Sequence, residues 1–239
     1  MLDATFIVVI AGAFLAALFN AMFSAGGALI VLAATSTVLP IQAIVPIHST
    51  LMLGSTVSRI FMFYEHIDWR IVRPFLVGSL IGAAIGARVY IELPETIIAT
   101  AIAIVMLVAL WLPQVGWRPK LRHPWAIVGF LHTLISTLFA YGALFHAVVL
   151  HTGLERRQIV GTMAGCLTGM GVFKIAGYAG FGFDYLPYAH IIGGAVVVSF
   201  IGTAVGKRIG EGLSEEKFRL VYRILITITA LRLLYTGLR

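Results

Sequence analysis

The longest uncharged run of the chain extends from Ala4 to Ser58, and it restricts the possible folds more than any other feature. These 55 residues contain no Asp, Glu, Lys or Arg. A helix that crosses a membrane once needs about 20 apolar residues, so this run holds more than one membrane segment. The whole chain is 60% hydrophobic and 11% charged, whereas soluble domains have about 25% charged residues. An all-α polytopic membrane protein is therefore predicted.

Charged residues, prolines and glycines divide the chain into eight predicted apolar segments. The first is too long for one ordinary helix and is interrupted at Gly26-Gly27, and Pro40 and Pro46 are expected to bracket the turn that follows it. Segment three carries glycines at four-residue spacing, which predicts a flat strip for close helix contact. The eight segments are Thr5 to Leu39, Ile44 to Phe63, Ile71 to Ile91, Glu95 to Leu112, Trp125 to His151, Gln158 to Tyr178, Leu186 to Ile209 and Glu216 to Leu238.

The two halves of the chain repeat each other at nearly constant offsets. Gly27-Ala28-Leu29 matches Gly142-Ala143-Leu144 at an offset of 115, and Arg59 matches Lys174 at the same offset. Further along, Gly82 and Gly86 match Gly202 and Gly206 at an offset of 120. These matches predict a duplication, with a first transmembrane repeat over residues 1–117, a basic cytoplasmic linker over 118–124 and a second repeat over 125–239.

The distribution of lysine and arginine separates two membrane topologies. If all eight segments cross, nine basic residues lie on one side and eight on the other. If segments one and five are re-entrant and return to their starting side, thirteen lie on one side and four on the other. The second topology is predicted, since Lys and Arg are enriched in cytoplasmic loops. Each half then has a re-entrant segment plus three transmembrane helices, so the halves are inverted, and both termini lie outside the cytoplasm.

Glycine interrupts segments one and five at corresponding places, and these interruptions are the main candidates for a binding site. Backbone freed by Gly26, Gly27 and Gly142 is tolerated in a membrane only inside protein or beside a wet cavity. Paired breaks in two halves are typical of transporter binding sites. We expect the two breaks to face each other and to hold a small solute, with half-helix N-termini favouring an anion. Close helix packing is the competing explanation for these glycines.

Polar side chains near the two breaks are candidates for hydrogen bonds to the solute. Ser and Thr in membrane helices also bond to their own backbone or to a neighbouring helix, so a structural role competes with binding at each position. The candidates in the first half are Asn20, Ser24, Ser49 and Thr50, and those in the second half are Thr133, Ser136, Thr137 and Tyr141.

Three ionisable residues inside apolar segments are further candidates. His48 is a candidate for solute binding and for carrying a coupled proton. Arg59 and Lys174 occupy matching positions in the two halves, where their charge would attract an anion, although snorkelling to the membrane surface competes with that role. His132 and His146 are weaker candidates for the same chemistry. Among acidic residues, Asp3, Glu65, Asp68, Glu92 and Asp184 fall near segment ends, which disfavours a carboxylate-based cation antiporter.

Several stretches of this sequence together resemble one known family. They are the break SAGGALIVL, the segment with His48-Ser49-Thr50, the loop Ile67-Asp68-Trp69-Arg70 and the third segment GSLIGAAIGARV. In these features the chain resembles the sulfite exporter TauE/SafE family over nearly its whole length. The resemblance implies a multi-pass exporter in the bacterial inner membrane that moves sulfite or small organosulfonate anions.

A secondary transporter that exports a small sulfur-containing anion by alternating access at a midplane site is therefore the leading hypothesis. A channel or accessory membrane subunit is one alternative, and an intramembrane enzyme that uses Ser24 or Ser49 with a histidine is another. The sequence has no GxSxG elbow and no GxxxxGK[ST] loop, so neither hydrolysis nor direct ATP use is expected. No cofactor, metal site or nucleic-acid partner is expected. The expected partners are the anion and the lipid bilayer, because a net charge of +7 in such a chain mainly records topology.

Overall fold

A computed structural model describes residues 3–23, 26–111, 124–141, 144–149, 152–209 and 215–237. Ser24, Gly142 and most of the predicted linker lie outside the described residues. Short 3₁₀ turns at Tyr64–His66 and Leu186–Tyr188 lead into two of the helices. The ten helices of the described residues are α1 (Ala4–Phe23), α2 (Gly27–Val38), α3 (Ile41–Phe63), α4 (Trp69–Glu92), α5 (Glu95–Trp111), α6 (Pro124–Phe139), α7 (Leu144–Val149), α8 (Arg156–Gly180), α9 (Ala189–Ile209) and α10 (Glu215–Gly237).

The all-α prediction is confirmed, and segments one and five are each divided into two helices. Segment one becomes α1 and α2, and segment five becomes α6 and α7. The prediction for Pro46 was wrong, because α3 already begins at Ile41 and contains Pro46. Pro46 is the sixth residue of α3, so its missing N–H removes one helix hydrogen bond, the one to the Gln42 carbonyl, and the helix continues on both sides of it. Only Leu39 and Pro40 therefore form the turn from α2 into α3.

Among the described residues, four helices are long and apolar enough to cross a membrane. Their spans are Ala4–Ala21, Trp69–Glu92, Arg157–Gly180 and Leu186–Gly206. Large apolar side chains remain exposed along these helices, for example Leu80 and Ile81 on α4 and Phe200 and Ile201 on α9. Such surfaces suit a lipid environment, so the chain is a multi-pass membrane protein.

The chain forms two compact units. The first unit comprises Met1–Ser55, Leu93–Leu112 and Asp184–Arg239. In it α1 packs against α2 and α9, and α5 packs against α10. A Cβ on Gly202 of α9 would lie 2.6 Å from the Phe14 oxygen of α1, so α1 and α9 are in direct backbone contact.

The second unit comprises Thr56–Glu92 and Pro113–Phe183. Here α4 packs against α6 and α8. The predicted strip on α4 is confirmed, because a Cβ on Gly82 would lie 2.5 Å from the Phe130 oxygen, and one on Gly86 would lie 2.8 Å from the Thr137 Cβ. The glycines of α4 thus allow α6 to approach at backbone distance.

Candidate functional site

The first helix break lies between α1 and α2, and it turns the chain back on itself. Gly26 has φ 97°, a left-handed conformation that glycine adopts without strain. A Cβ on Gly27 would lie 2.5 Å from the Ala16 oxygen, so no larger residue fits beside α1 there. The Gly27 N–H donates to Asn20 Oδ1 at 3.0 Å. Asn20 therefore caps the first turn of α2 from the preceding helix, because Gly26 has no side chain to do so.

His48 of α3 also contacts the first helix break, through a hydrogen bond to the first turn of α2. Its side chain is 3% exposed, and its Nε2 lies 3.0 Å from the carbonyl oxygen of Ala28. Since a carbonyl oxygen can only accept, Nε2 is the donor. The neighbouring hydroxyls bond within α3, Ser49 to the Val45 oxygen at 2.8 Å and Thr50 to the Ile47 oxygen at 2.7 Å. Asn20, Gly26, Gly27 and His48 are thus brought together, while Ser49 and Thr50 form local backbone bonds.

The second helix break follows α6, and its backbone differs from the one expected. Ala140 has φ 63° and, among the described residues, is the non-glycine residue with positive φ. The sequence placed the interruption at Gly142, but α6 already ends at Phe139. Tyr141 follows in the break and is half-buried. The chain then enters α7, where the Phe145 N–H donates to His132 Nδ1 at 3.3 Å.

Two side chains of α8 hold the carboxyl end of α6. Lys174, 3% exposed, donates from Nζ to the Ser136 oxygen at 2.8 Å. The Tyr178 hydroxyl donates to the Thr137 oxygen. Both carbonyl groups lie in the last turn of α6, where carbonyl oxygens have no hydrogen-bond donor within their own helix. A lysine there also complements the negative end of the helix dipole.

The hydroxyl candidates of α6 are engaged with α6 itself and with α4. Thr133 donates to Ser79 Oγ at 2.9 Å. Ser136 and Thr137 both donate to the Thr133 oxygen, at 3.2 Å and 2.6 Å. These bonds fix the side chains along α6 and leave its last carbonyls to α8.

Sequence reasoning missed Tyr178 and gave His132 little weight. Lys174 and Tyr178 lie four residues apart in an apolar helix and therefore share one face; that spacing was the available signal. Arg59, half-buried near the end of α3, lies in the second unit. No group of three metal-ligating side chains occurs within the described ranges.

Comparison with known proteins assigns the chain to a family. The model of the sulfite exporter TauE/SafE family matches residues 9–233, nearly the whole chain. Neither the curated proteins nor the solved structures contain a match. The family is one of membrane transporters, in agreement with the apolar helices and with the two helix breaks held by polar side chains. This chain belongs to the sulfite exporter TauE/SafE family.

Proposed function

We propose that this protein is a secondary transporter that exports a small sulfur-containing anion, such as sulfite or an organosulfonate, across the bacterial inner membrane. The observation that carries the proposal is the family match over residues 9–233. Alternating access is the proposed mechanism, because a secondary carrier must expose its site to each side in turn.

The helix breaks are the proposed binding elements. At the first break, α2 begins with the positive end of its dipole, and Asn20, Gly27 and His48 fix its first turn. At the second break, Lys174 supplies a buried positive charge at the end of α6. Backbone amides, a side-chain amide and an ammonium group are suitable partners for sulfonate-type oxygens. The remaining proposed contacts are Ser24, Ser49, Thr50, Arg59, Thr133, Ser136, Thr137, Tyr141 and Gly142.

We also propose that the chain arose by duplication and consists of two inverted repeats with extracytoplasmic termini. One contact in each compact unit supports the duplication. Gly82 of α4 meets the Phe130 oxygen of α6, and Gly202 of α9 meets the Phe14 oxygen of α1. The glycines differ by 120 and the phenylalanines by 116, close to the offsets in the sequence.

Anion flux into proteoliposomes tests the proposed function. Sulfite, thiosulfate and a small sulfonate would be compared with chloride and phosphate, with and without a pH gradient. We expect saturable flux of a sulfur anion. Flux that does not saturate would indicate a channel, and absence of flux under every gradient would contradict the proposal.

Asn20→Asp separates a binding role of Asn20 from a capping role. The aspartate keeps an acceptor oxygen for the Gly27 N–H, so the hairpin stays folded. Its negative charge would repel an anion at the break and lower the rate of flux by about fivefold, the effect of roughly 1 kcal/mol of repulsion. The matched control is Gln42→Glu, which adds the same charge at an exposed position of α3. Unchanged flux in Asn20→Asp would assign Asn20 to capping alone.

A further inference from the structure

One acceptor side chain holds the chain at each helix break, and the two acceptors differ in chemistry. At the first break the Gly27 N–H donates to the amide oxygen of Asn20. At the second break the Phe145 N–H donates to the imidazole Nδ1 of His132. We propose that His132 is a proton-binding residue that makes the second break, but not the first, responsive to pH.

The hydrogen bond from the Phe145 N–H fixes the protonation state of His132. A backbone N–H can only donate, so Nδ1 of His132 carries no proton and the ring proton lies on Nε2. A doubly protonated ring has a donor at each nitrogen and no acceptor. Protonation therefore replaces the hydrogen bond to Phe145 by two donors that face each other. The Asn20 amide does not titrate, so its bond to Gly27 is unaffected.

His48 responds differently from His132. Its Nε2 donates to the Ala28 oxygen at 3.0 Å, and a protonated ring still donates there. Protonation leaves the His48 contact intact and breaks the His132 contact. Of the two histidines bound to backbone groups at the breaks, His132 is thus the one whose contact is lost on protonation.

The surroundings of His132 transmit this change to α7. His132 is 2% exposed, and its ring centroid lies 6.2 Å from that of Phe75 and 5.8 Å from that of Phe145. Phe145 belongs to a buried apolar cluster that also contains Val148, Val149 and Cys166. A charged ring is costly in such a cluster. Loss of the bond to Phe145 therefore loosens α7 from α6 and α8.

Charged and titratable groups on the neighbouring elements set the electrostatic context. Lys174 and Tyr178 bind the last turn of α6, so a proton on His132 adds a second positive charge to this part of the unit. A bound anion would offset that charge, which couples the proton to the solute; this step rests on the proposed transport function. The charged and titratable residues of the neighbouring helices are Arg70, Arg73, Arg88, Tyr90 and Glu92 on α4, His146 on α7, and Arg156, Arg157, Cys166, Lys174 and Tyr178 on α8.

Alkylation of Cys166 measures the response of the break without any transport assay. Cys166 is the single cysteine of the chain and is fully buried in the cluster with Phe145. Purified protein would be treated with N-ethylmaleimide at about pH 8 and about pH 5, on either side of the histidine range. The comparison variant is His132→Asn, whose amide oxygen replaces Nδ1 and takes no proton. The ratio of wild-type to variant rates removes the intrinsic pH dependence of the thiol.

We expect this ratio to be near one at the higher pH and to rise by about fivefold at the lower pH, as for the loss of one hydrogen bond. The control His190→Asn, on α9 and stacked on Phe6, should behave as wild type. His132→Gln is the second variant if His132→Asn does not fold; its amide reaches the position of Nε2 rather than Nδ1, so the bond to Phe145 is absent at both pH values, and the ratio should rise from about one-fifth at the higher pH to near one at the lower pH. An equal ratio at both pH values would overturn the proposal, whatever the flux. A pH-dependent ratio without anion flux would support the pH response of the second break. It would contradict the proposed transport function and, with it, the coupling of the proton to the solute.

Discussion

Ala140 shows how a single residue can carry strain at a helix break. An L-residue other than glycine in the left-handed region costs about 1–2 kcal/mol, and Ala140 adopts φ 63° there. We expect Ala140→Gly to relieve this strain and to stabilise the protein by about 1 kcal/mol. The melting temperature of the purified protein in detergent, compared with wild type, checks this prediction.

Gly182 provides the matched control for Ala140. It has φ 100°, and a Cβ there would have no atom within 4 Å. A substitution at Gly182 therefore adds backbone strain without any steric clash. Gly182→Ala should therefore lower the melting temperature while Ala140→Gly raises it. A fall in both variants would show that packing of the Ala140 methyl group outweighs its backbone strain.

Some residues of the candidate site stand out in the sequence because their chemistry is local. Gly26 and Gly27 stand out since glycine disrupts an apolar helix, and Asn20 lies within two turns of them. Tyr178 does not stand out in this way, and His132 is only a weaker candidate. Their partners, the Phe145 N–H and the Thr137 oxygen, are backbone groups brought to them by tertiary folding. An alanine at the left-handed position likewise carries no sequence signal.

The contacts of α4 with α6 and of α9 with α1 depend on glycine at the crossing points. Added methyl groups at Gly82 or Gly202 would meet backbone oxygens at 2.5 and 2.6 Å. Backbone cannot move aside as a flexible side chain can, so Gly82→Ala and Gly202→Ala should each destabilise the protein by about 1–3 kcal/mol. Thermal unfolding in detergent measures both effects.

Gly193 is the control for these two glycines, because it lies exposed on α9 with no atom within 4 Å of a Cβ. Gly193→Ala should stabilise the protein by up to about 1 kcal/mol through helix propensity alone. Equal losses in all three variants would mean that the glycines act through something other than the helix contacts.

At the scale of elements, the number and order of helices could be predicted, whereas some of their ends could not. Charges and prolines mark most ends, as at Glu95, where α5 begins as expected. Pro46 misled the prediction because α3 runs through it, although its missing N–H removes one helix hydrogen bond. Local composition does not distinguish such a proline from one in a turn.

At the scale of the whole molecule, the predicted sequence repeats and the two compact units divide the chain at different places. The predicted repeats are continuous, over 1–117 and 125–239. Each compact unit instead combines stretches from both parts of the chain. In the first unit α1 packs on α9, and in the second α6 packs on α4. Offsets within one sequence predict which helices correspond, but they do not predict which helices pack together.

The proposed inverted topology makes a prediction about three connections between helices. In both topologies compared above, Glu65 lies on the same side as the basic residues 118–122. If the hairpins are re-entrant, Gly153 also lies on that side and Asp184 lies on the other. If every segment crosses, Gly153 and Asp184 exchange sides. All three residues are exposed, so cysteines placed there can be reached by a reagent that does not cross membranes.

The experiment uses single cysteines in a Cys166→Ser background, which removes the one native thiol. We expect Asp184→Cys to be labelled in intact cells, and Glu65→Cys and Gly153→Cys only after the membrane is permeabilised. Glu65 lies on the side of residues 118–122 in either topology, so the labelling of Gly153→Cys and Asp184→Cys is read relative to that of Glu65→Cys. Labelling that places Asp184→Cys on the same side as Glu65→Cys, with Gly153→Cys on the other side, would contradict the re-entrant arrangement. In that case all eight segments would cross, and the basic residues would divide nine to eight between the two sides. Each half would then have four crossings, so the halves would not be inverted.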